Sequence, residues 1–137
     1  MDLLLVEDKD SFRNLLADAL KDSVWQVTAV ADPEEALKVL GAQSIDVLIT
    51  DLRLPHFSGL DLIRQAKRKF PGLRAVLMSA YGEPKDIVEA MRLGADDFLP
   101  KPFHLETFLA LLDHLRILVG APPPDHGPVC TERPVRK

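Results

Sequence analysis

The sequence has one cysteine and no long apolar run. Because Cys130 is the only cysteine among 137 residues, no internal disulfide can form. No apolar run approaches the ~20 residues of a membrane-spanning helix. The opening residues, MDLLLVEDKD, lack the basic segment and apolar stretch of a secretory signal. These absences argue against a secreted disulfide scaffold and a membrane protein, and they predict a cytoplasmic location.

Positive charge is also scarce. The chain carries 17 Lys and Arg against 21 Asp and Glu, a formal net charge of -4. A dedicated nucleic-acid binder usually presents a basic face, so direct contact with nucleic acid is not expected. Hydrophobic residues at 47% and charged residues at 28% are ordinary for a globular protein, and 137 residues suffice for one domain.

Short apolar runs alternate with longer amphipathic segments. The predicted strands are 3–6, 25–30, 45–50, 73–78 and 97–99. The predicted helices are 9–21, a second opened by Asp32 as N-cap with Pro33 and ended by Gly41, then 58–70, 83–93 and 104–119. Apolar strands joined by helices predict an α/β fold with a doubly wound, five-stranded parallel sheet.

The composition changes after the last predicted helix. Prolines interrupt a polar stretch there, at positions 122, 123, 124, 128 and 134. We therefore predict a folded domain over residues 1–119 and a Pro-rich tail or linker over 120–137. A disordered terminus and a tether to an output domain are both compatible with this composition.

Charged and hydroxyl side chains follow the predicted strands. The first strand delivers Glu7 and Asp8, the third Asp51, the fourth Ser79 and the fifth Lys101. Because the carboxyl ends of parallel strands share one edge of the sheet, we expect these five side chains to converge.

Three carboxylates at one edge would repel one another, and a divalent cation would remove that cost. Oxygen ligands without thiols or clustered imidazoles favour a hard ion such as Mg²⁺. Asp51 could then act as a nucleophile toward phosphorus, while Ser79 and Lys101 bind phosphoryl oxygens.

Each of these residues also has an ordinary structural interpretation. Asp8 could be the N-cap of the first helix, and Asp51 a turn residue. Ser79 could be a loop hydroxyl and Lys101 a solvated charge. The functional interpretation gains its weight from four strand ends that supply complementary chemistry.

The sequence resembles the receiver domains of two-component response regulators over about residues 2 to 119. The matching segments are Val6-Glu7-Asp8, Asp51-Leu52-Arg53-Leu54-Pro55 followed by Gly59, Met78-Ser79-Ala80, and Phe98-Leu99-Pro100-Lys101-Pro102. The resemblance implies a flavodoxin-like (βα)5 fold with strand order 2-1-3-4-5. The same stretch is similar to receivers of nitrogen-regulator-type transcriptional regulators.

The resemblance also implies roles for the site residues. Asp51 would accept a phosphoryl group from a sensor histidine kinase. Glu7 and Asp8 would hold Mg²⁺ together with Asp51 and the main-chain carbonyl of Arg53. Glu7 stands where Asp is frequent in the family, so its longer side chain could reach the metal through water. Lys101 would contact the phosphoryl group, and Lys101-Pro102 would be a cis peptide.

Switching is the expected consequence of phosphorylation. Ser79 would move toward the phosphoryl group, and Phe98 would rotate inward. The changed surface would comprise the fourth helix, fifth strand and fifth helix, and it would control an output domain or a partner. We also expect Arg53 and Tyr81 to flank the phosphoryl group and to hinder the attacking water.

The last helix carries a wide apolar surface made of Leu105, Phe108, Leu109, Leu111, Leu112, Leu115 and Leu118. It is compatible with a well-buried terminal helix and with a homodimer interface.

Three other functions remain to be weighed. A magnesium phosphohydrolase would need an acid two residues after Asp51, where this chain has Arg53. A flavin module would want a glycine-rich phosphate loop where Glu7 and Asp8 stand. A phosphate-independent interaction module is the alternative that the residues exclude least. We expect no enzymatic activity beyond self-catalysed phosphoryl transfer and autodephosphorylation.

Overall fold

A computed structural model of the chain describes residues 1–54, 57–80 and 84–119. The strands of its main sheet are β1 (Asp2–Val6), β2 (Gln26–Val30), β3 (Val47–Asp51), β4 (Arg74–Ser79) and β5 (Asp97–Pro100). The helices are α1 (Asp10–Ala19), α2 (Pro33–Ala42), α3 (Gly59–Lys69), α4 (Pro84–Arg92) and α5 (Leu105–Leu118). A two-residue antiparallel ladder also pairs Arg53–Leu54 with Phe57–Ser58.

The five main strands are all parallel and lie in the order β2-β1-β3-β4-β5. This order confirms the predicted flavodoxin-like topology. It reverses between β1 and β3, and the carboxyl ends of strands at such a reversal form the usual ligand-binding crevice of an open α/β sheet.

Apolar side chains cover both faces of the sheet. In β1, Leu4 and Val6 belong to a core that includes residues of α2, α3 and α4, whereas Leu3 and Leu5 belong to a second core with α1 and α5. Successive side chains of a strand point to opposite faces, so a strand buried on both faces must be apolar throughout. This explains why β1 shows no alternation of polar and apolar residues.

The predicted cap of α2 is confirmed, and its predicted end is wrong. The Asp32 carboxylate accepts a hydrogen bond from the Glu35 amide at 2.8 Å, and Pro33 is the first helical residue. The helix does not stop at Gly41 but continues through Ala42 and ends where the backbone becomes extended at Gln43. Gly41 can stay in the helix because glycine accepts helical dihedrals as well as the left-handed ones of a helix end.

Other helix and strand boundaries shift by one or two residues. The most consequential shift is at the carboxyl ends of β3 and β4, where Asp51 and Ser79 are the last strand residues rather than the first loop residues. Their backbones are therefore fixed by the sheet.

Several predictions fall on residues outside the described ranges. These are Pro55, Tyr81, Cys130 and the predicted tail over 120–137. Among the helices that the structure does describe, none is long and apolar enough to cross a membrane.

Gly59 permits a close approach between the start of α3 and the end of β3. Its amide donates a hydrogen bond to the Leu52 carbonyl at 2.7 Å. A Cβ atom at position 59 would lie 2.1 Å from the carbonyl oxygen of Asp51. Because that distance is far below van der Waals contact, any larger residue would have to displace the backbone that carries the Asp51 carboxylate.

We predict that Gly59→Ala lowers the free energy of unfolding by about 2 kcal/mol or more, because backbone must move to relieve the overlap. Gly41→Ala is the matched control, since a Cβ there meets no atom within 4 Å. That control should raise stability by about 0.5–1 kcal/mol through helix propensity. Urea unfolding followed by Trp25 fluorescence measures both changes, and equal effects of the two substitutions would contradict the prediction.

Candidate functional site

The side chains predicted to converge do lie at one edge of the sheet. Two backbone hydrogen bonds continue the pairing of the strands past their ends. The Leu52 amide donates to the Met78 carbonyl at 2.8 Å, and the Lys101 amide donates to the Ser79 carbonyl at 2.9 Å. The residues that leave β3, β4 and β5 are thus held side by side. Ser79 itself is buried.

Lys101 joins two of the predicted acids. Its Nζ atom lies 2.7 Å from Oε1 of Glu7 and 3.2 Å from Oδ2 of Asp51. Glu7 is completely buried, and 12% of the Asp51 side chain is exposed. The sequence suggested that Lys101 would contact a phosphoryl group, but it did not predict that the ammonium would lie against both carboxylates.

Lys101 stays protonated in this setting. Burial disfavours the charged ammonium and would by itself lower the pKa of Lys101. The hydrogen bond to Glu7 and the negative charges of Asp51 and Glu7 act in the opposite direction and together prevail. The pKa of Lys101 is therefore raised above its usual value, and the side chain is a permanent cation at neutral pH.

The first turn of α1 fixes the position of Glu7. Oε2 of Glu7 accepts a hydrogen bond from the Lys9 amide at 3.0 Å. The Glu7 main-chain carbonyl accepts another from the Arg13 guanidinium at 2.8 Å. Both carboxylate oxygens of Glu7 therefore accept hydrogen bonds, one from the Lys9 amide just before α1 and one from Lys101.

Glu7, Asp8 and Asp51 form an acidic cluster suited to a metal ion. One carboxylate oxygen from each residue lies within 4.8 Å of the others. Two oxygens bound to one Mg²⁺ at about 2.0–2.1 Å can be at most ~4.2 Å apart, so small side-chain rotations or a bridging water would complete such a site. The purely oxygen donor set fits a hard cation.

Asp8 is exposed at the rim of this cluster. The alternative that Asp8 is the N-cap of α1 is wrong, because Lys9 occupies the cap position. The Asp8 carboxylate thus belongs to the acidic cluster and does not cap α1.

The remaining predicted residues lie around this centre. Phe98 is half-buried on β5 and packs against the core that contains α3 and α4. Arg53 is exposed and pairs with Ser58 in the short ladder. The peptide bond between Lys101 and Pro102 is cis, as the resemblance implied.

One residue next to the site was not foreseen. The ring centroid of Phe12 lies 4.6 Å from Nζ of Lys101. In the sequence, Phe12 is only one of several apolar residues at helical spacing in α1, and nothing distinguishes it from a core residue.

Comparisons with known proteins agree with this geometry. A family model described as the response regulator receiver domain matches residues 3–113. Response regulator protein FleR of Pseudomonas aeruginosa is 37% identical over 132 residues, which cover 95% of this chain and 28% of FleR. The DNA-binding transcriptional regulator NtrC of Klebsiella pneumoniae is 36% identical over 109 residues, or 80% of this chain and 23% of NtrC.

A solved structure is also similar. It is a response regulator protein from Burkholderia pseudomallei with a phosphorylated aspartic acid, calcium ion and citrate. It aligns with a TM-score of 0.74 and 32% identity over 80% of this chain and 64% of its own. This chain spans only about a quarter of the length of FleR and NtrC. The extent of the family match and the fold together establish that the chain belongs to the response regulator receiver domain family.

Proposed function

We propose that Asp51 accepts a phosphoryl group in a Mg²⁺-dependent reaction and that this modification switches the domain between two signalling states. The observation that carries the proposal is the set of three carboxylates within 4.8 Å of one another beside the ammonium of Lys101. The Burkholderia pseudomallei relative contains a phosphorylated aspartic acid and a calcium ion, which supports phosphorylation of an aspartate with a divalent cation.

The residues divide the chemistry among themselves. A bound Mg²⁺ would neutralise the carboxylates and the phosphoryl oxygens. A carboxylate oxygen of Asp51 forms the new bond to phosphorus as the bond from phosphorus to the histidine nitrogen of the kinase breaks and the electron pair leaves with that nitrogen. Lys101 and the Ser79 hydroxyl donate hydrogen bonds to the phosphoryl oxygens. Glu7 and Asp8, with Asp51 and the carbonyl of Arg53, would hold the metal.

Phosphorylation would change the balance of charge around Lys101. The new group carries about -1.5 to -2 charges and several acceptor oxygens, so it competes with Glu7 for the ammonium. Ser79 moves toward the phosphoryl group, and Phe98, already half-buried against the core, takes the space that opens. A differential stability of about a few kcal/mol is enough to shift the population between two such packings.

The signal would leave through α4, β5 and α5. Of the large apolar residues in α5, Phe108, Leu112 and Leu115 are buried, whereas Leu105, Leu109 and Ile117 are exposed. Leu105 and Leu109, together with Val88 and Met91 of α4, supply apolar surface for a homodimer or an output domain.

The proposed partners are supported by the family and the relatives. A sensor histidine kinase donates the phosphoryl group, and transcription control is the proposed output because NtrC is a DNA-binding transcriptional regulator. The domain itself contacts no nucleic acid, and its chemistry is limited to gaining and losing its own phosphoryl group.

We predict that acetyl phosphate with Mg²⁺ adds one phosphoryl group, about 80 Da, to the parent chain and none to Asp51→Asn. Asp51 is the partly exposed carboxylate beside Lys101, whereas Glu7 is fully buried and both of its carboxylate oxygens accept hydrogen bonds. Intact mass measures the adduct. Asp113→Asn is the control, since it removes an exposed acid on α5 and should be labelled like the parent. No adduct on the parent, while a control receiver is labelled, would favour a phosphate-independent interaction module.

We predict opposite effects of Lys101→Met and Glu7→Gln on Mg²⁺ affinity. Lys101 competes with the metal for Glu7 and Asp51, so its removal should tighten Mg²⁺ binding by about tenfold, or ~1.4 kcal/mol. Loss of a ligand charge in Glu7→Gln should weaken binding by a similar factor. Isothermal titration calorimetry measures both, with the exposed Lys38→Met as control. Weaker binding by Lys101→Met would show that the ammonium does not compete with the metal.

We also predict that replacing both Arg53 and Tyr81 by Ala speeds loss of the phosphoryl group by about threefold, or ~0.7 kcal/mol of barrier, because less bulk then hinders the attacking water. The decay of the phosphorylated mass after donor removal measures the rate. A decay as slow as that of the parent would remove these residues from the proposal.

A further inference from the structure

Among the described residues, three groups that attract a cation lie next to the ammonium of Lys101. Two are the carboxylates of Glu7 and Asp51, at 2.7 and 3.2 Å. The third is the aromatic ring of Phe12, whose centroid lies 4.6 Å from Nζ. This distance is well inside the range of about 6 Å over which the face of an aromatic ring attracts a cation.

We propose that Phe12 is a positioning residue for Lys101. Its ring holds the ammonium where it can contact both Asp51 and an incoming phosphoryl group. The inference rests on the proposed phosphorylation of Asp51, because that reaction is what gives the position of Lys101 its consequence. Phe12 does not touch the reacting atoms and acts only through the lysine.

Other aromatic residues hold the ring of Phe12 in place. Phe103 meets it edge to face, with centroids 5.6 Å apart and planes at 65°. Phe103 in turn stacks on Phe108 at 5.9 Å and 22°. Phe108 is fully buried in the core beneath α5. Because Phe103 follows Lys101 by two residues, the same short segment carries both the ammonium and the ring that packs against Phe12.

A neighbouring aromatic ring suits a lysine that must bind a new ligand. The ammonium has three N–H donors, and Glu7 and Asp51 accept from two of them. A third carboxylate would take the remaining donor and would compete with the phosphoryl oxygens. The face of an aromatic ring attracts the positive charge but does not accept a strong hydrogen bond. The third N–H donor of Lys101 therefore remains available to the phosphoryl group. The attraction also persists when the ammonium moves by a fraction of an ångström, since it has little directionality.

The ordinary alternative is that Phe12 only fills space on α1. Three variants separate packing from positioning. Phe12→Leu keeps an apolar side chain but removes the ring, and Phe12→Tyr keeps the ring. Phe70→Leu makes the same chemical change at an exposed aromatic residue that follows α3.

The first measurement needs no phosphorylation. Aromatic ring currents shift the NMR signals of the Lys101 side-chain CH₂ groups, so these signals should be displaced upfield in the parent and in Phe12→Tyr. They should return toward ordinary lysine values in Phe12→Leu, with Phe70→Leu like the parent. Unshifted Lys101 signals in the parent would overturn the proposed contact, whatever the outcome of phosphorylation.

The second measurement is the rate of Asp51 phosphorylation by acetyl phosphate at saturating Mg²⁺. Phe12→Leu should slow it by about three- to tenfold, as expected for loss of a cation–π contact to a partly buried lysine. Phe12→Tyr should stay within about twofold of the parent, because the ring face is retained.

A double-mutant cycle with Lys101→Met decides between the two interpretations. If Phe12 acts through Lys101, Phe12→Leu has no further effect once the ammonium is gone. An equal slowing in both backgrounds would instead show that Phe12 acts by packing, and the proposal would fail. A parent that is not phosphorylated at all would contradict the proposed function, while the ring-current shifts would still decide the contact between Phe12 and Lys101.

Discussion

The site depends on one constraint, the burial of the charged carboxylate of Glu7. A carboxylate with no exposed surface is tolerated only if hydrogen bonds and an opposite charge replace the water it has lost. The Lys9 amide supplies one hydrogen bond from the start of α1, and Lys101 supplies the charge from 94 positions away in the chain. The buried acid therefore ties the end of β1 to the residue that follows β5, across the intervening strands β3 and β4. Asp51, the other carboxylate bound to Lys101, lies at the end of β3.

In this arrangement Lys101 is shared between two carboxylates, so its position responds to a change of charge at either one. The ammonium serves Glu7 and Asp51 together while resting on the ring of Phe12. Any group that adds negative charge at Asp51 or cancels the charge of Glu7 alters how the ammonium is shared. The residues of β5, which precede Lys101, would then have to adjust, and β5 lies between α4 and α5 in the chain. A local change in charge can thus be converted into a change of packing at a distant surface.

The strand order was predicted from the resemblance to receiver domains. The convergence of Glu7, Asp8, Asp51, Ser79 and Lys101 could be predicted from the sequence itself, because the carboxyl ends of parallel strands share one edge of the sheet. The sequence did not predict which of these residues touch. The contact of Lys101 with Glu7 depends on side-chain rotamers and on the register of β5 beside β4, and neither leaves a local pattern in the chain. The role of Phe12 was hidden for a different reason, since a ring on the apolar face of a helix looks the same whether it packs in the core or against a cation.

Buried charge is used differently at the opposite end of the sheet. At the start of β4, the guanidinium of the buried Arg74 contacts Asp96 at 3.1 Å and donates to the Leu118 carbonyl at 3.2 Å. Asp96 also accepts from the Ala75 amide at 2.9 Å. Burial lowers the pKa of the neighbouring Lys67, an effect that Asp96 opposes and Arg74 reinforces.

The contacts of Arg74 and Asp96 join β4, the entry to β5 and the last turn of α5, and the backbone partners fix their geometry. Arg74 and Asp96 each have a backbone partner at this end, whereas the ammonium of Lys101 at the other end is shared between two side-chain carboxylates. The ammonium of Lys101 is therefore the charge whose contacts would change if charge were added at Asp51, while the Arg74–Asp96 pair is joined to the last turn of α5 through the Leu118 carbonyl.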